Sequence, residues 1–227
     1  MDSLKDKSAG PRSDINAIKK ILKKMAVDIF EGDYLSKTFN NALILCLDIR
    51  NFSDFLCSHE EDVVYKLITD FSSNLLACIN FFGCGCSYYK LMGDGALIIW
   101  DESNEKSSNE AISVFNTYSD FLNEDLFKKY NTLGLAGALV EEKLFKYEIS
   151  AETSQIKYRD YIGYGINLSC RLQTLANTNE LILNELITES KCIPFKINQT
   201  PEILKELKLL KGLKGEDRKR LLLYDKK

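Results

Sequence analysis

The chain has 227 residues, 45% of them hydrophobic, enough for one well-buried domain. Lys and Arg total 30 against 33 Asp and Glu, and the net charge of -3 excludes the broad basic footprint that nucleic acid or an acidic membrane selects. Any phosphate it binds has to be met locally. Cysteines 46, 57, 78, 84, 86, 170 and 192 sit mostly inside apolar runs. With no secretory leader and no apolar run of about 18 residues, the expectation is a cytoplasmic chain with reduced thiols and no membrane partner. Cys84-Gly85-Cys86 lacks the two-residue spacer and second pair of a zinc site, and His59 is the single histidine, so these read as core or strand-edge cysteines.

Residues 1–13 are polar and read as a disordered tail; 14–39 read as a helix and linker, on the helical spacing of Ile18, Ile21, Leu22 and Met25. Ala42–Leu47 is a continuous apolar run too short for a helix, so it predicts a buried strand, and it ends on Asp48. A helical stripe follows over 53–82, with Gly83 as its stop. Residues 86–100 read as a hairpin turning at Gly93-Asp94-Gly95. A polar loop (101–109), a helix over roughly 110–130 and strands near 132–140 and 143–149 come next. After the polar stretch 150–160, a helix over about 165–177 and several short strands finish the chain, the last at Leu221–Tyr224.

This order is an α+β pattern, a mostly antiparallel sheet carrying helices on one face. Neighbours in sequence usually neighbour in space, which brings the hairpin tip beside the end of the first strand and Asp94 toward Asp48. Two readings stand. The carboxylates converge on a hard divalent cation, with Gly93 and Gly95 permitting close backbone approach; or Asp48 caps the following helix and Asp94 merely turns the hairpin.

Three segments, LILCLDIRNFSDF (43–55), KLMGDG (90–95) and YIGYGINLSCRLQTLA (161–176), together resemble the catalytic domain of class III nucleotidyl cyclases. The resemblance spans residues 40–224 and identifies 40–227 as the catalytic domain. It implies a ferredoxin-like core working as a head-to-tail homodimer with composite active sites. The reaction it implies turns a nucleoside triphosphate into a 3′,5′-cyclic nucleotide and pyrophosphate.

On that resemblance Asp48 and Asp94, with the Ile49 carbonyl, look like the ligands of two Mg²⁺ or Mn²⁺ ions. The N–H groups around Asn51, Phe52 and Ser53 begin a helix and are placed to receive phosphate oxygens. Asn167 and Arg171, four apart on one helical face, match the residues that the opposite protomer supplies to orient the ribose and to stabilise the transition state. LLKGLKG (209–215) is similar to the phosphate-binding lysine segment, with Lys211 or Lys214 as the lysine.

Lys90 and Asp160 match the base-reading positions of adenylate cyclases. A Lys donor beside a carboxylate acceptor complements adenine and cytosine alike, and not guanine or uracil. Tyr161 stands where the family more often has a smaller aliphatic residue, which favours a pyrimidine by shrinking the pocket unless the ring swings out to stack. The bare domain is also similar to the pyrimidine cyclases of bacterial antiphage (Pycsar) defence, which make cCMP or cUMP for a separate effector. The expectation is a pyrimidine cyclase, CTP ahead of UTP. An adenylate cyclase and an inactive, nucleotide-binding scaffold are the alternatives, and a diguanylate synthase is disfavoured because its Gly-Gly-Asp/Glu-Glu-Phe turn is missing.

Overall fold

The structure, a computed structural model, describes residues 20, 35–150, 157–184, 211–212 and 221–225. The expected N-terminal tail, most of the helix after it, and Lys214 lie outside the described residues. The chain divides into two compact units: Met1–Lys37 with Lys146–Tyr161, and Thr38–Phe145 with Ile162–Lys227.

The larger unit holds a sheet in the order β2-β3-β1-β4-β6-β7. Strand β1 (Leu35–Arg50) pairs antiparallel with β3 (Gly95–Trp100), which pairs antiparallel with β2 (Tyr88–Leu91). Strand β4 (Gly134–Ser150) runs parallel to β6 (Glu180–Asn184), and β6 is antiparallel to β7 (Leu221–Asp225). Helix α4 (Tyr164–Gln173) lies between β4 and β6 in sequence and supplies the crossover that parallel pairing needs. In the smaller unit, 146–150 of β4 and 157–161 of β5 (Lys157–Ile162) carry the polar stretch, and Arg159 there pairs with Glu148.

One sheet face buries Leu43, Leu45, Leu47 and Ile49 with Ala96, Ile98 and Trp100. Three helices meet that face: α1 (Phe52–Ser58), α2 (Glu61–Phe82) and α3 (Glu105–Phe121). The opposite face also carries a helix, contrary to the expectation of helices on one side. There Gly165 of α4 is so close to Ile44 that an added Cβ would meet the Ile44 side chain at 2.7 Å. The physical reason was visible in Ala42–Leu47: a strand apolar at every position is a strand covered on both faces.

Local chemistry redraws several boundaries. The 53–82 stripe is two helices, broken where His59 and Glu60 are extended. The loop expected at 101–109 hides the start of α3: Ser107 N–H donates to Asn104 Oδ1 at 3.0 Å and Asn104 N–H to Ser107 Oγ at 2.9 Å, a reciprocal cap built from loop-like residues. The two strands expected around Glu141-Glu142 are one. Glu141 N–H donates to Asn184 Oδ1 at 2.9 Å and the Asn184 amide donates back to Glu141 O at 2.8 Å, so a side chain continues the ladder past the polar pair.

Candidate active site

Strand β1 delivers Asp48 to the edge of the core, and its side chain is 30% exposed. Directly opposite in the β1–β3 ladder stands Gly95, and Ile49 N–H donates to Asp94 O at 3.0 Å. The hairpin turn is thus held against the end of β1, with Gly93 in the left-handed region at φ 78°. Burial first and the charge of Asp94 second push the Asp48 carboxyl up to about 6, against the opposing pull of Arg50 and of a hydrogen bond from Gln173. Asp48 does not cap α1. That place belongs to Asn51, left-handed at φ 61° and anchored by its amide on Thr132 O at 2.6 Å.

Two residues to which the sequence assigns no side-chain role in the site organise this corner. Arg50 lies 3.6 Å from the Asp48 carboxylate, and its guanidinium donates to Ala176 O at 2.8 Å and to Gln173 O. It ties the end of β1 to the last residue of α4 and to the turn that follows it. Gln173, buried on α4, donates its side-chain hydrogen bond to Asp48. A signal existed: Arg50 is two residues past Asp48 on the same strand face.

On α4, Gly165, Leu168, Leu172 and Gln173 are buried while Asn167 is exposed. Arg171 is half-buried, and its Nη1 is buried without a hydrogen-bond partner among the described residues. Gly212 lies against that guanidinium, where any Cβ would collide with it, so the Lys211-Gly212 turn sits at the Arg171 end of α4, with Lys211 exposed. Among the described residues, neither Asn167 nor Arg171 bonds to Asp48 or Asp94. Ser53 is exposed at the start of α1, whereas Phe52 is buried in the core and can offer a ligand only its backbone.

No protein-family model and no curated protein matches the sequence. Solved structures do. The chain is similar to an adenylyl cyclase from P. aeruginosa, with 15% identity and a TM-score of 0.65 over 85% of this chain and 97% of that one. It is similar to the catalytic core of a rhodopsin-guanylyl cyclase of converted specificity in complex with ATPαS, with 11% identity and a TM-score of 0.65 over 84% and 98%. A guanylate cyclase domain from Catenaria anguillulae in complex with GTP gives 11% identity and a TM-score of 0.63 over 83% and 96%. The fold is that of the class III nucleotide cyclases.

The cyclase fold implies divalent cations, and the donors here suit them. Asp48, Asp94 and the strand-end carbonyl of Ile49 offer hard oxygen donors, and the Asp48 carboxyl is raised by burial first and by the neighbouring Asp94 charge second. Among the described residues no group of three or more His, Cys, Asp or Glu that could hold a metal ion gathers.

The base-reading candidates fall in both units of this cyclase fold: Lys90 is exposed on β2 in the larger, Asp160 and Tyr161 lie on β5 in the smaller. Asp160 accepts from Tyr158 O–H at 2.7 Å and from Tyr161 N–H at 2.8 Å, which fixes the carboxylate and raises the Tyr158 phenol's pKa. Tyr161 is 5% exposed, and the Lys146 ammonium stands 5.8 Å from its ring centre, so the phenol is tucked in rather than swung out.

Proposed function

We propose that the chain is a nucleotidyl cyclase acting on a pyrimidine nucleoside triphosphate, CTP ahead of UTP, at two sites shared between two copies of the chain. In this reaction the ribose 3′-oxygen bonds to the α-phosphorus, the α–β phosphoanhydride breaks, pyrophosphate leaves, and the 3′-hydroxyl proton is released. The observation that carries the reading is the hydrogen bond from Ile49 N–H to Asp94 O, which sets two acidic residues side by side at the end of a core strand.

Asp48, Asp94 and the Ile49 carbonyl hold the cations in this proposal. Two Mg²⁺ or Mn²⁺ ions would lower the pKa of the 3′-hydroxyl and offset charge on the β- and γ-phosphates. The first turn of α1, from Asn51 to Ser53, offers backbone donors to phosphate oxygens. Arg171 brings a fixed, forked charge to the pentacovalent phosphorus. Asn167 orients the ribose, and Lys211 meets the phosphates.

As the resemblance to the class III cyclases implies, Asn167 and Arg171 serve the carboxylates of a second copy. Exposed Tyr89, Leu91 and Met92 beside the hairpin turn offer apolar surface for it. As the resemblance implies, Lys90 and Asp160 are the base-reading residues, and Tyr161, 5% exposed, is the bulk that favours a pyrimidine. The cyclic nucleotide would then act as a messenger to a separate effector, as in antiphage defence. An adenylate cyclase remains the second reading, because Lys90 and Asp160 complement adenine equally well and one structural neighbour holds an ATP analogue.

The test incubates the purified chain with each of the four nucleoside triphosphates and Mn²⁺ and identifies products by mass. Cyclic CMP as the main product is the expected result. Cyclic AMP would move the assignment to the second reading, and no cyclic product from any nucleotide would overturn the enzymatic proposal.

A further inference from the structure

Cys46 lies on β1 two residues before Asp48, on the strand face that meets α4. Its thiol donates to Cys170 Sγ at 3.5 Å, across 124 residues of sequence. Among the described residues no other two cysteine sulfurs meet in this way. Both thiols are free, Cys46 only 2% exposed and Cys170 half-buried. Neither has a task in the proposed cyclisation, yet they join the strand that carries Asp48 to the helix that carries Arg171.

We infer that Cys46 and Cys170 are a reversible dithiol–disulfide pair, a modification site that crosslinks β1 to α4. The oxidant is a peroxide or another two-electron acceptor. The more accessible Cys170 sulfur attacks a peroxide oxygen; the O–O bond breaks, a water leaves and Cys170 becomes a sulfenic acid. The Cys46 sulfur then attacks the Cys170 sulfur; the S–O bond breaks and a second water leaves with the Cys46 thiol proton. Two thiols and one peroxide thus yield one disulfide and two waters. An external thiol reverses the bond by exchange.

A disulfide bond is about 2.05 Å long, so the two sulfurs must approach by about 1.5 Å. Rotation about the Cβ–Sγ-bearing bonds supplies part of this, and a shift of α4 against β1 the rest. Arg171 is the next residue after Cys170. A displacement of about 1 Å in a catalytic group lowers turnover by roughly 10²-fold, so the crosslinked form is the slow one. That consequence rests on the cyclase reading; the bond itself does not.

The experiment uses the full chain with Cys57 and Cys84, both exposed, replaced by Ser to suppress links between molecules. The reduced protein is treated with hydrogen peroxide or diamide, blocked with N-ethylmaleimide and mapped by peptide mass. A Cys46–Cys170 linked peptide that dithiothreitol releases, with turnover down roughly 10–100-fold and restored on reduction, supports the inference. Cys170→Ala and Cys46→Ala, each alone, should abolish both the link and the oxidant sensitivity, so a folding failure in one leaves the other to decide. Full alkylation of both cysteines after oxidation, or preferential pairing of Cys170 elsewhere, overturns it. Complete crosslinking with unchanged turnover overturns the claimed effect on the site. A linked peptide in a chain that cyclises no nucleotide even when reduced supports the pair and removes the cyclase reading instead.

Discussion

Gly95 stands opposite Asp48 in the β1–β3 ladder, so close that a Cβ on Gly95 would meet Leu47 O at 2.5 Å and Asp48 Oδ1 at 3.3 Å. The backbone oxygen cannot move aside without opening the ladder. Gly95→Ala should therefore destabilise the protein by about 1–3 kcal/mol and lower activity by roughly 10²-fold through displaced carboxylates. Gly93 is the control. Its φ of 78° suits glycine, but nothing lies within 4 Å of an added Cβ. Gly93→Asn should cost at most about 1 kcal/mol and leave turnover within a few-fold. Thermal melts and initial rates on both variants decide, and equal effects at the two glycines would refute the close-approach argument.

Asp48→Asn should separate stability from function. The carboxyl is raised in the fold from 3.8 to about 6. A raised carboxyl binds its proton more tightly when folded, so its contribution favours folding below pH 3.8 and is lost as pH climbs toward 6. Above that the ionised group opposes folding, and the amide relieves it. Discounted for its partial exposure, the gain is about 1 kcal/mol, or about 2–4 °C in Tm at pH 7.5, shrinking toward pH 4. Mn²⁺ should raise the Tm of the parent chain and not of the variant, whose turnover should fall by roughly 10³-fold or more. An unchanged Tm at pH 7.5 with an intact response to Mn²⁺ would contradict the electrostatic account.

Arg50→Ala removes two hydrogen bonds to the end of α4 and the positive charge 3.6 Å from Asp48. The expected loss is about 2–3 kcal/mol and about 5–10 °C in Tm. Arg50→Lys should recover little, because a single ammonium on a flexible stem does not reproduce the fork that reaches Gln173 O and Ala176 O together. Full rescue by lysine would mean that charge alone matters there.

Mixing Asp94→Ala with Arg171→Ala protomers should restore activity in one of the two shared sites of a heterodimer. Each single variant should be inactive by itself. Size-exclusion chromatography verifies that the mixed dimer forms, and a mixed dimer as dead as its parents would exclude composite sites.

Tyr161→Ala should raise turnover of ATP relative to CTP, since removing a buried phenol enlarges the space beside Asp160 on the same strand. The ratio of kcat/KM for the two nucleotides is the measure. An unaltered ratio would remove pocket size as the basis of the pyrimidine assignment.

Much of the architecture was legible because it is local. Ala42–Leu47 is apolar at every position and became a strand buried on both faces; Gly93-Asp94-Gly95 turned the hairpin as turn chemistry demands. The convergence of Asp48 and Asp94 followed from chain order alone, since a strand, a helix and a hairpin leave the hairpin tip few other places to go. The cap of α3 is not legible in the sequence, because Asn104 and Ser107 look like loop residues until their reciprocal hydrogen bonds form.

Sequence by itself determined the kinds of element, their order, the acidic pair and the Asn167–Arg171 spacing, because propensity, periodicity and turn geometry act over a few residues. Only the tertiary structure decided that Arg50 and Gln173 brace Asp48, that Gly212 yields room to Arg171, and that Cys46 meets Cys170. Those pairings join residues far apart along the chain, and no local energy selects them; they exist because packing α4 onto the second face of the sheet brings its polar groups to the end of β1.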